Sequence, residues 1–194
     1  MRCQAIVAGI GGQGVLFAAA VLSAAAEARR VPVLGSQTFG MAQRGGSVMT
    51  HLKMGEFQSP LVGEGDADLL LGLDCTEAHR TLPYLRARSD GDGALCVVNA
   101  PAASAFPDSR VAGLLAEMGV AVHCCDADAV ALEMNRPLVA NLVLLGFGAS
   151  RTGFPFGYEE ILDAVGTLGG TAHRALNREA VERGRALAGS GAAA

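Results

Sequence analysis

The chain has 194 residues, of which 51% are hydrophobic and 18% are charged, and its formal net charge is −4. This length is sufficient for one domain with its own core, and the composition excludes a long disordered segment. The negative net charge favours neither nucleic acid nor an anionic membrane surface as a partner.

The pattern along the chain alternates between apolar strands and helices. The first part predicts, in order, a strand CQAIVAG, a helix over residues 14–29, a short strand VPVLG, a loop over residues 36–46 and a strand SVMTHLKMG. The middle predicts strands ADLLLGLD, ALCVVNA and VAVHCCDA, with a helix over residues 108–119 before the last. The remainder predicts helices DADAVALEM, PLVANLVLLGFGAS, YEEILDAVG and HRALNREAVERGRALAG.

Apolar strands that alternate with helices are typical of a mostly parallel sheet with both faces covered. We therefore predict an α/β fold, a Rossmann-like three-layer sandwich with a mostly parallel sheet and a helical C-terminal third. Residues 1–188 are expected to form a single domain, and residues 189–194 a frayed tail.

Two apolar segments bear on location and assembly. The run over residues 14–30 is too short for a membrane span and follows a glycine-rich turn, which favours a soluble cytoplasmic protein without a membrane partner. The apolar cluster at residues 138–148 suggests a surface that protein normally covers, so the isolated chain is expected to form a homo-oligomer. The alternative is that this segment packs on the sheet.

The cysteines and histidines are scattered. None of the five cysteines forms a C-x-x-C pair, whereas an iron–sulfur cluster requires four converging thiolates. None of the four histidines has a partner at metal-ligand spacing. Cys124 and Cys125 are adjacent on a predicted strand, so their side chains are expected on opposite faces. We therefore expect no metal site and no cluster in this chain alone.

The stretch GIGGQGV, residues 9–15, follows the first strand and has the G-x-G-x-x-G spacing of a dinucleotide-binding turn. Its glycines permit close backbone approach, and the following helix presents free amides to an anion. The acidic residue expected about 20 positions later on the ribose is missing. The alternatives are an NAD(P) site, a tight turn without a ligand, or a phosphate or coenzyme contact. The candidate residues are Gly11, Gly12, Gln13 and Gly14.

A second loop, within FGMAQRGGSVMTH, combines an amide, a guanidinium, two flexible glycines and a hydroxyl. Such a set can hold a carboxylate or phosphate, with bidentate hydrogen bonds from the arginine and a nest of backbone amides. The alternative is an exposed glycine-rich connection. The candidate residues are Gln43, Arg44, Gly45, Gly46 and Ser47.

Other motifs offer no complete catalytic set. Asp74 and Glu77 match a capping box, with Asp74 as the N-cap and Glu77 reaching back to it. The G-D-G triplet at residues 91–93 lacks the downstream asparagines of a thiamine diphosphate motif, and no G-x-S-x-G elbow is present. The sequence does not describe a self-sufficient enzyme.

Four stretches in this order carry a resemblance to a known family: GIGGQGV, GSQTFGMAQRGGSV, SPLVGEGDADLLLGLD and NLVLLGFG. Together they resemble the gamma-type domain of 2-oxoacid:ferredoxin oxidoreductases, and within that family they are most similar to the small (beta) subunit of the indolepyruvate type. The resemblance covers roughly residues 4–180.

The resemblance implies a subunit that is inactive alone and binds no cofactor by itself. In such complexes a large partner subunit holds thiamine diphosphate, magnesium and iron–sulfur clusters, and converts a 2-oxoacid to an acyl-CoA. Coenzyme A is the co-substrate and ferredoxin takes the electrons. The two glycine loops would then face the partner's active site or the coenzyme A path. Two alternatives remain, a stand-alone NAD(P)- or flavin-dependent dehydrogenase and a non-catalytic nucleotide- or CoA-binding module.

Overall fold

The structure is a computed structural model that describes residues 1–40, 45–87, 93–101, 105–106, 108–168, 170 and 173–189. Gln43 and Arg44 of the second loop, most of the G-D-G triplet and residues 190–194 of the tail lie outside this range. The strands are β1 (Cys3–Ile10), β2 (Val33–Phe39), β3 (Ser47–Met54), β4 (Leu69–Gly72), β5 (Leu95–Asn99) and β6 (Ala121–Cys125). The helices are α1 (Val15–Ala28), α2 (Cys75–Thr81), α3 (Ser109–Glu117), α4 (Ala127–Glu133), α5 (Ala140–Gly148), α6 (Tyr158–Leu168) and α7 (Arg174–Gly189).

The six strands form one mixed sheet in the order β2-β3-β1-β4-β5-β6. Strands β1, β4, β5 and β6 pair in parallel, whereas β3 pairs antiparallel with both β1 and β2. The predicted mostly parallel sheet is confirmed. The antiparallel strand follows from the short connection between β2 and β3, since a parallel neighbour needs a longer crossover.

Strand β2 is longer than predicted. The residues expected to begin a loop, Ser36–Phe39, continue the strand and pair with β3, from Val33 opposite Met54 to Phe39 opposite Val48. Because β2 is an edge strand with much of its length exposed, it accepts polar side chains that a buried parallel strand excludes. The predicted start of the loop at residue 36 was therefore wrong.

Side chains alternate between the two faces of the sheet and build two cores. On β1, Ala5 and Val7 belong to the larger core, which also contains residues of α1 and α4 to α7. Ile6 and Ala8 belong to the smaller core, which receives Ala78 of α2 and Leu115 of α3. Both faces are covered, so the predicted three-layer sandwich and its helical C-terminal third are confirmed. In the described part of the chain, no helix has both the length and the apolarity to cross a bilayer.

Helix α5 is an interior element. Residues Asn141–Gly148 are all buried, and α5 contacts the sheet as well as α4, α6 and α7. Of the predicted apolar surface at residues 138–148, the large hydrophobic side chain left exposed is Leu138, which is 80% accessible. The alternative interpretation, packing on the sheet, is therefore correct for this segment. The buried position of this segment gives no support to the expectation that the isolated chain forms a homo-oligomer.

Two glycines allow α5 and α7 to pack with their backbones in contact. A Cβ on Gly146 would lie 2.1 Å from the carbonyl oxygen of Val181, and a Cβ on Gly184 would lie 1.9 Å from that of Val143. Backbone atoms in two packed helices cannot move aside as a flexible side chain can. The spacing of these helices therefore requires glycine at both positions.

We expect Gly184→Ala to lower the free energy of unfolding by about 3 kcal/mol, because the added methyl group forces α7 away from α5. Gly166→Ala is the matched control, since Gly166 lies in α6 and a Cβ there would meet nothing within 4 Å. The control should be more stable by about 0.5–1 kcal/mol, because alanine is the better helix residue. Urea denaturation followed by circular dichroism measures both changes. Equal stability of the two variants would contradict the packing argument.

His51 on β3 is buried as a neutral ring. Its Nδ1 accepts a hydrogen bond of 3.2 Å from the N–H of Val62, and its ring meets Tyr84 edge-on at 5.6 Å. Burial, and then the neighbouring charge of Lys53, lower the pKa of His51 below its usual value. Protonation of Nδ1 would also place two N–H groups against each other.

Because the pKa of His51 is lower in the folded chain than in the unfolded chain, the unfolded chain binds a proton more tightly at this position. The stability from neutral His51 is therefore fully present above the unfolded pKa of about 6.5 and is lost as the pH falls below it. His51→Asn keeps a side-chain acceptor but cannot be protonated, so the variant should lose less stability between about pH 7.5 and pH 5 than the original chain. The measurement is urea denaturation at both pH values. His173→Asn is the control, because His173 is exposed, and an equal effect of both variants would exclude this role for His51.

Candidate functional site

The β1–α1 turn carries the first glycine loop and reverses the chain within four residues. Gly12 has φ +104° and Gly14 has φ +80°, conformations that side chains other than glycine rarely adopt. Gly9 lies against the loop, because a Cβ there would be 2.8 Å from the Gln13 side-chain oxygen. These requirements account for glycine at positions 9, 12 and 14 without any ligand, but not at Gly11, where the nearest atom to a Cβ would be 3.6 Å away.

Gln13 closes the loop from within. Its side-chain oxygen accepts a 2.8 Å hydrogen bond from the N–H of Ile10, and its own N–H donates to the carbonyl oxygen of Ile10 at 3.1 Å. The Gln13 oxygen therefore contributes to the shape of the loop. The sequence placed Gln13 among the candidate binding residues, and its structural role is visible only with the turn folded.

The two glycine loops meet at one edge of the sheet. The N–H of Gly11 donates a 2.8 Å hydrogen bond to the carbonyl oxygen of Gly46, and a further bond from Gly40 N–H to Ser47 oxygen, 2.7 Å long, extends the β2–β3 pairing. Gly45 adopts φ +67° beside this contact. The candidate residues Gly11, Gly12, Gln13, Gly14, Gly45, Gly46 and Ser47 therefore lie together at this edge. Gln43 and Arg44 belong to the same loop in sequence but lie outside the described residues.

A cleft of about 780 Å³ opens between the two loops and the start of α1. Ala18 is the first α1 residue whose N–H bonds back to the turn, at Gly14 oxygen, 2.9 Å away. The N–H groups of residues 15–17 therefore have no acceptor within the helix, and the Gly14 cap has no side chain to offer one. Apolar side chains complete the walls, and two of them, Leu16 and Phe39, are 42% and 58% exposed. The cleft combines free amide donors with an apolar rim.

The side chain of Asn141, on α5, packs against the start of α1 and hydrogen-bonds to it. A Cβ on residue 14 would lie 2.2 Å from Asn141 Nδ2, so the amide group of Asn141 occupies the space that glycine leaves. Nδ2 donates to the carbonyl oxygen of Gly14 at 3.3 Å, and Oδ1 accepts the N–H of Leu142 at 2.8 Å. Sequence analysis did not single out Asn141. A polar residue within the apolar NLVLLGFG run was the available signal.

Glu77 anchors the second loop to helix α2. The residue is 7% exposed, and its carboxylate accepts hydrogen bonds from the Ser47 hydroxyl at 2.6 Å and from Arg80 at 3.0 Å. Asp74 caps α2 as predicted, with its carboxylate accepting from the N–H groups of Thr76 and Glu77. The second half of the predicted capping box was wrong, because the Glu77 carboxylate binds Ser47 and Arg80. The Ser47 hydroxyl proton is therefore used within the chain.

The geometry opposes a dinucleotide site of the usual form. In that fold the ribose acid stands at the end of a strand next to β1. Here β3 separates β2 from β1, and β2 ends in Gln37, Thr38 and Phe39 without an acidic residue. A nicotinamide or flavin nucleotide would find phosphate donors but no ribose partner from β2.

The described part of the chain offers no metal or cluster ligands. It contains no group of three or more histidine, cysteine, aspartate or glutamate side chains arranged to hold a metal ion. No disulfide links the five cysteines, and burial raises the pKa values of Cys3 and Cys125 to about 12, which keeps both thiols protonated. Cys124 and Cys125 face the smaller and the larger core respectively, as predicted. These residues do not fit an iron–sulfur cluster.

Comparison with known protein families identifies the family of this chain. The family model described as pyruvate ferredoxin/flavodoxin oxidoreductase matches residues 4–187. The chain belongs to this family. The predicted relation to the 2-oxoacid:ferredoxin oxidoreductases is confirmed, and with it the prediction of an oxidoreductase subunit.

Two relatives from archaea share one name. Indolepyruvate oxidoreductase subunit IorB of Methanothermobacter thermautotrophicus is 30% identical over 175 residues, covering 85% of this chain and 87% of that protein. The subunit of the same name from Archaeoglobus fulgidus is 31% identical over 175 residues, covering 85% of each protein. The chain is therefore similar to these subunits over most of their length.

Solved structures share the fold. The gamma subunit of a keto/oxoacid ferredoxin oxidoreductase from Geobacter sulfurreducens superposes with a TM-score of 0.66 at 23% identity, covering 96% of this chain and 98% of that one. A 2-oxoglutarate:ferredoxin oxidoreductase from Magnetococcus marinus, with 2-oxoglutarate, coenzyme A and succinyl-CoA bound, superposes with a TM-score of 0.71 at 21% identity. That alignment covers 97% of this chain and 31% of the longer one, so the same fold also occurs as part of a larger polypeptide.

Replacing Gln13 tests whether its side chain holds the first loop in shape. Gln13→Ala removes the acceptor for the Ile10 N–H and should lower the free energy of unfolding by about 1 kcal/mol, with faster hydrogen exchange at the Ile10 amide. Gln13→Glu keeps a side-chain acceptor and should preserve that protection. Amide exchange measured by NMR compares the two variants. Similar exchange at Ile10 in both would contradict the role of the side-chain oxygen.

Proposed function

We propose that this chain is the small, cofactor-free subunit of a 2-oxoacid:ferredoxin oxidoreductase of the indolepyruvate type. The single observation that supports this most strongly is the bond between Gly11 and Gly46, which joins both family glycine loops around one cleft. In this proposal the cleft faces the large partner subunit. That partner carries thiamine diphosphate, magnesium and the iron–sulfur clusters, and the described residues of this chain contain no cluster of side chains that could hold a metal ion.

The reaction of the complex is an oxidative decarboxylation. The bond between the carboxylate and the carbonyl carbon of the 2-oxoacid breaks and carbon dioxide leaves, the carbonyl carbon becomes the acyl carbon of a thioester with coenzyme A, and the electron pair passes to ferredoxin. The thiol proton of coenzyme A is released. Bound thiamine diphosphate supplies the carbanion stabilisation in the partner subunit.

The contribution of this chain is positioning and exclusion of water. The free amides at the start of α1, together with the turn around Gly45 and Gly46, suit a phosphate or carboxylate that approaches along the cleft. The Ser47 hydroxyl donates to Glu77, so it can only accept a hydrogen bond from a ligand. Leu16 and Phe39 provide apolar contacts at the rim. We propose Gly11, Gly12, Gln13, Gly14, Gln43, Arg44, Gly45, Gly46 and Ser47 as the residues that line the coenzyme A or substrate path.

The substrate class follows from the relatives and fits the rim of the cleft. Indolepyruvate or another aryl pyruvate is the proposed 2-oxoacid, since the similar subunits are named for indolepyruvate. Exposed Phe39 and Leu16 suit an aromatic group or an apolar partner surface. Five cysteines without a disulfide favour a reducing compartment, and we place the complex in the cytoplasm.

Co-expression with the large subunit from the same host tests the proposal. The expected result is a brown complex that reduces a viologen dye when a 2-oxoacid and coenzyme A are both present, fastest with aryl pyruvates, while each subunit alone is inactive. Purification of the chain without a partner, and no activity on mixing, would contradict it. Titration with NAD(P), flavin nucleotide and coenzyme A would then test the stand-alone dehydrogenase and the binding module.

Arg44 provides the sharpest test of the loop assignment in the assembled complex. Arg44→Ala should raise the KM for coenzyme A or for the 2-oxoacid about tenfold or more, because a charge-assisted contact to an anion is lost. Arg178→Ala is the matched control, since Arg178 lies on α7 and pairs with Glu182 on the surface. Steady-state kinetics and gel filtration separate catalysis from assembly. Unchanged kinetics and assembly with Arg44→Ala would exclude this loop from the site.

A further inference from the structure

A second cavity, of about 760 Å³, lies at the edge of the sheet opposite the glycine loops. It is formed where strands begin, next to Cys3 of β1, Leu95 of β5 and Ala121 of β6, whereas the glycine cleft begins at Ile10, where β1 ends. The loop between α5 and α6 closes one side of it. Neither the family motifs nor the proposed function uses this cavity.

Positive charge dominates its walls. Arg2, Arg86 and Arg151 line the cavity, and among the described residues Asp68 is the one carboxylate that does so. This excess contrasts with the net charge of −4 for the whole chain. Among the described lining residues, positive charge therefore exceeds negative charge, which favours an anion as the ligand.

Arg151 stacks on a buried ring but is incompletely paired. Its guanidinium stacks on the ring of Phe147, with 4.2 Å to the ring centre, and Phe147 is fully buried in α5. The Nε and Nη2 atoms of Arg151 are buried and have no hydrogen-bond acceptor in the described part of the chain. Buried donors without a partner are rare in native proteins, so this guanidinium lacks the acceptors that usually accompany such burial.

Arg86, which also lines the cavity, has a buried donor without an acceptor in the described part of the chain as well. It forms an ion pair with Asp68, whose carboxylate also accepts the N–H of Gln4 at 2.8 Å. The Nε of Arg86 is nevertheless buried without an acceptor among the described residues. Asp68 therefore interacts with Arg86 and with the N–H of Gln4, and within the residues that the structure describes it still leaves the Nε of Arg86 without an acceptor.

His123 on β6 responds to the same surplus of positive charge. Its side chain lines the cavity, and burial followed by the charge of Arg151 lowers its pKa. An anion placed between these groups would offset the effect of Arg151. The protonation of His123 is therefore a direct sensor of occupancy.

We propose that this cavity binds a small dianion, either a phosphate ester or a dicarboxylate, with Arg151 and Arg86 as its principal donors and Arg2 as a further positive charge. Guanidinium groups bind both chemistries through paired N–H bonds. The volume is that of a site for a small metabolite. The site is separate from the glycine cleft, so its existence does not depend on the proposed function.

The first experiment is isothermal titration of the complete chain with inorganic phosphate and, separately, with succinate, at constant ionic strength set by chloride. Saturable binding of either dianion is expected, with a Kd on the order of 1 mM for such small probes. Stronger binding of phosphate identifies a phosphate ester as the ligand class, and stronger binding of succinate identifies a dicarboxylate. Saturation by neither overturns the proposal.

Variants connect binding to these residues. Arg151→Gln should weaken binding at least tenfold, and Arg2→Gln, at an exposed position that carries little risk for folding, several-fold. Arg185→Gln is the matched control, because Arg185 also stacks on an aromatic ring, Tyr158 at 4.3 Å, but lies outside the cavity. Equal affinity of the original chain and Arg2→Gln, or an equal loss with Arg185→Gln, would overturn the site.

NMR of the histidine rings provides a second readout that a purely structural role for Arg151 would not produce. Saturating dianion should raise the pKa of His123 in the original chain and not in Arg151→Gln. His51, which lies outside this cavity, should not respond. A His123 titration that is unchanged by saturating dianion would show that any binding occurs elsewhere, and would overturn the proposal.

Discussion

The antiparallel placement of β3 between β1 and β2 determines the geometry of the candidate site. Because β3 runs opposite to both neighbours, the chain leaves β2 and returns at the same sheet edge where β1 ends. That return brings Gly46 within hydrogen-bond distance of Gly11. The same strand moves β2 away from β1 and removes the position from which a dinucleotide fold recognises ribose. The direction of β3 therefore creates the cleft and also argues against a dinucleotide-binding role for the glycine motif.

Helix α5 connects this edge of the sheet to the rest of the protein. Its first turn supplies Asn141 to the start of α1, and further along it packs backbone to backbone on α7 through Gly146 and Gly184. Phe147, on the same helix, supports Arg151 at the other cavity. A buried apolar helix thus links the two recessed sites. The interior position of α5 explains its composition without any partner protein.

Sequence patterns were sufficient to predict the layers of this fold. They did not predict features that depend on which strand or residue a segment contacts in the folded chain. Continuous apolar strands indicated the parallel part of the sheet, and the segments between and after them indicated the helices that cover it. The extension of β2 through Ser36–Phe39 was missed, because its polar side chains are compatible with either an edge strand or a loop. The glycines of the first loop were recognisable from spacing alone. Asn141 and the Glu77 bond to Ser47 were not, because both contacts join positions remote in sequence.

The fit between Gly14 and Asn141 has a consequence for how this sequence can diverge. The two positions are separated by 127 residues and share one small volume, in which the amide of one replaces the missing Cβ of the other. Substitution at either position alone is therefore constrained by the other. Because Gly14 also adopts φ +80°, a smaller side chain at position 141 does not by itself permit another residue at position 14. Among homologous chains, position 14 should therefore stay glycine, and position 141 should vary only among side chains that fit beside it.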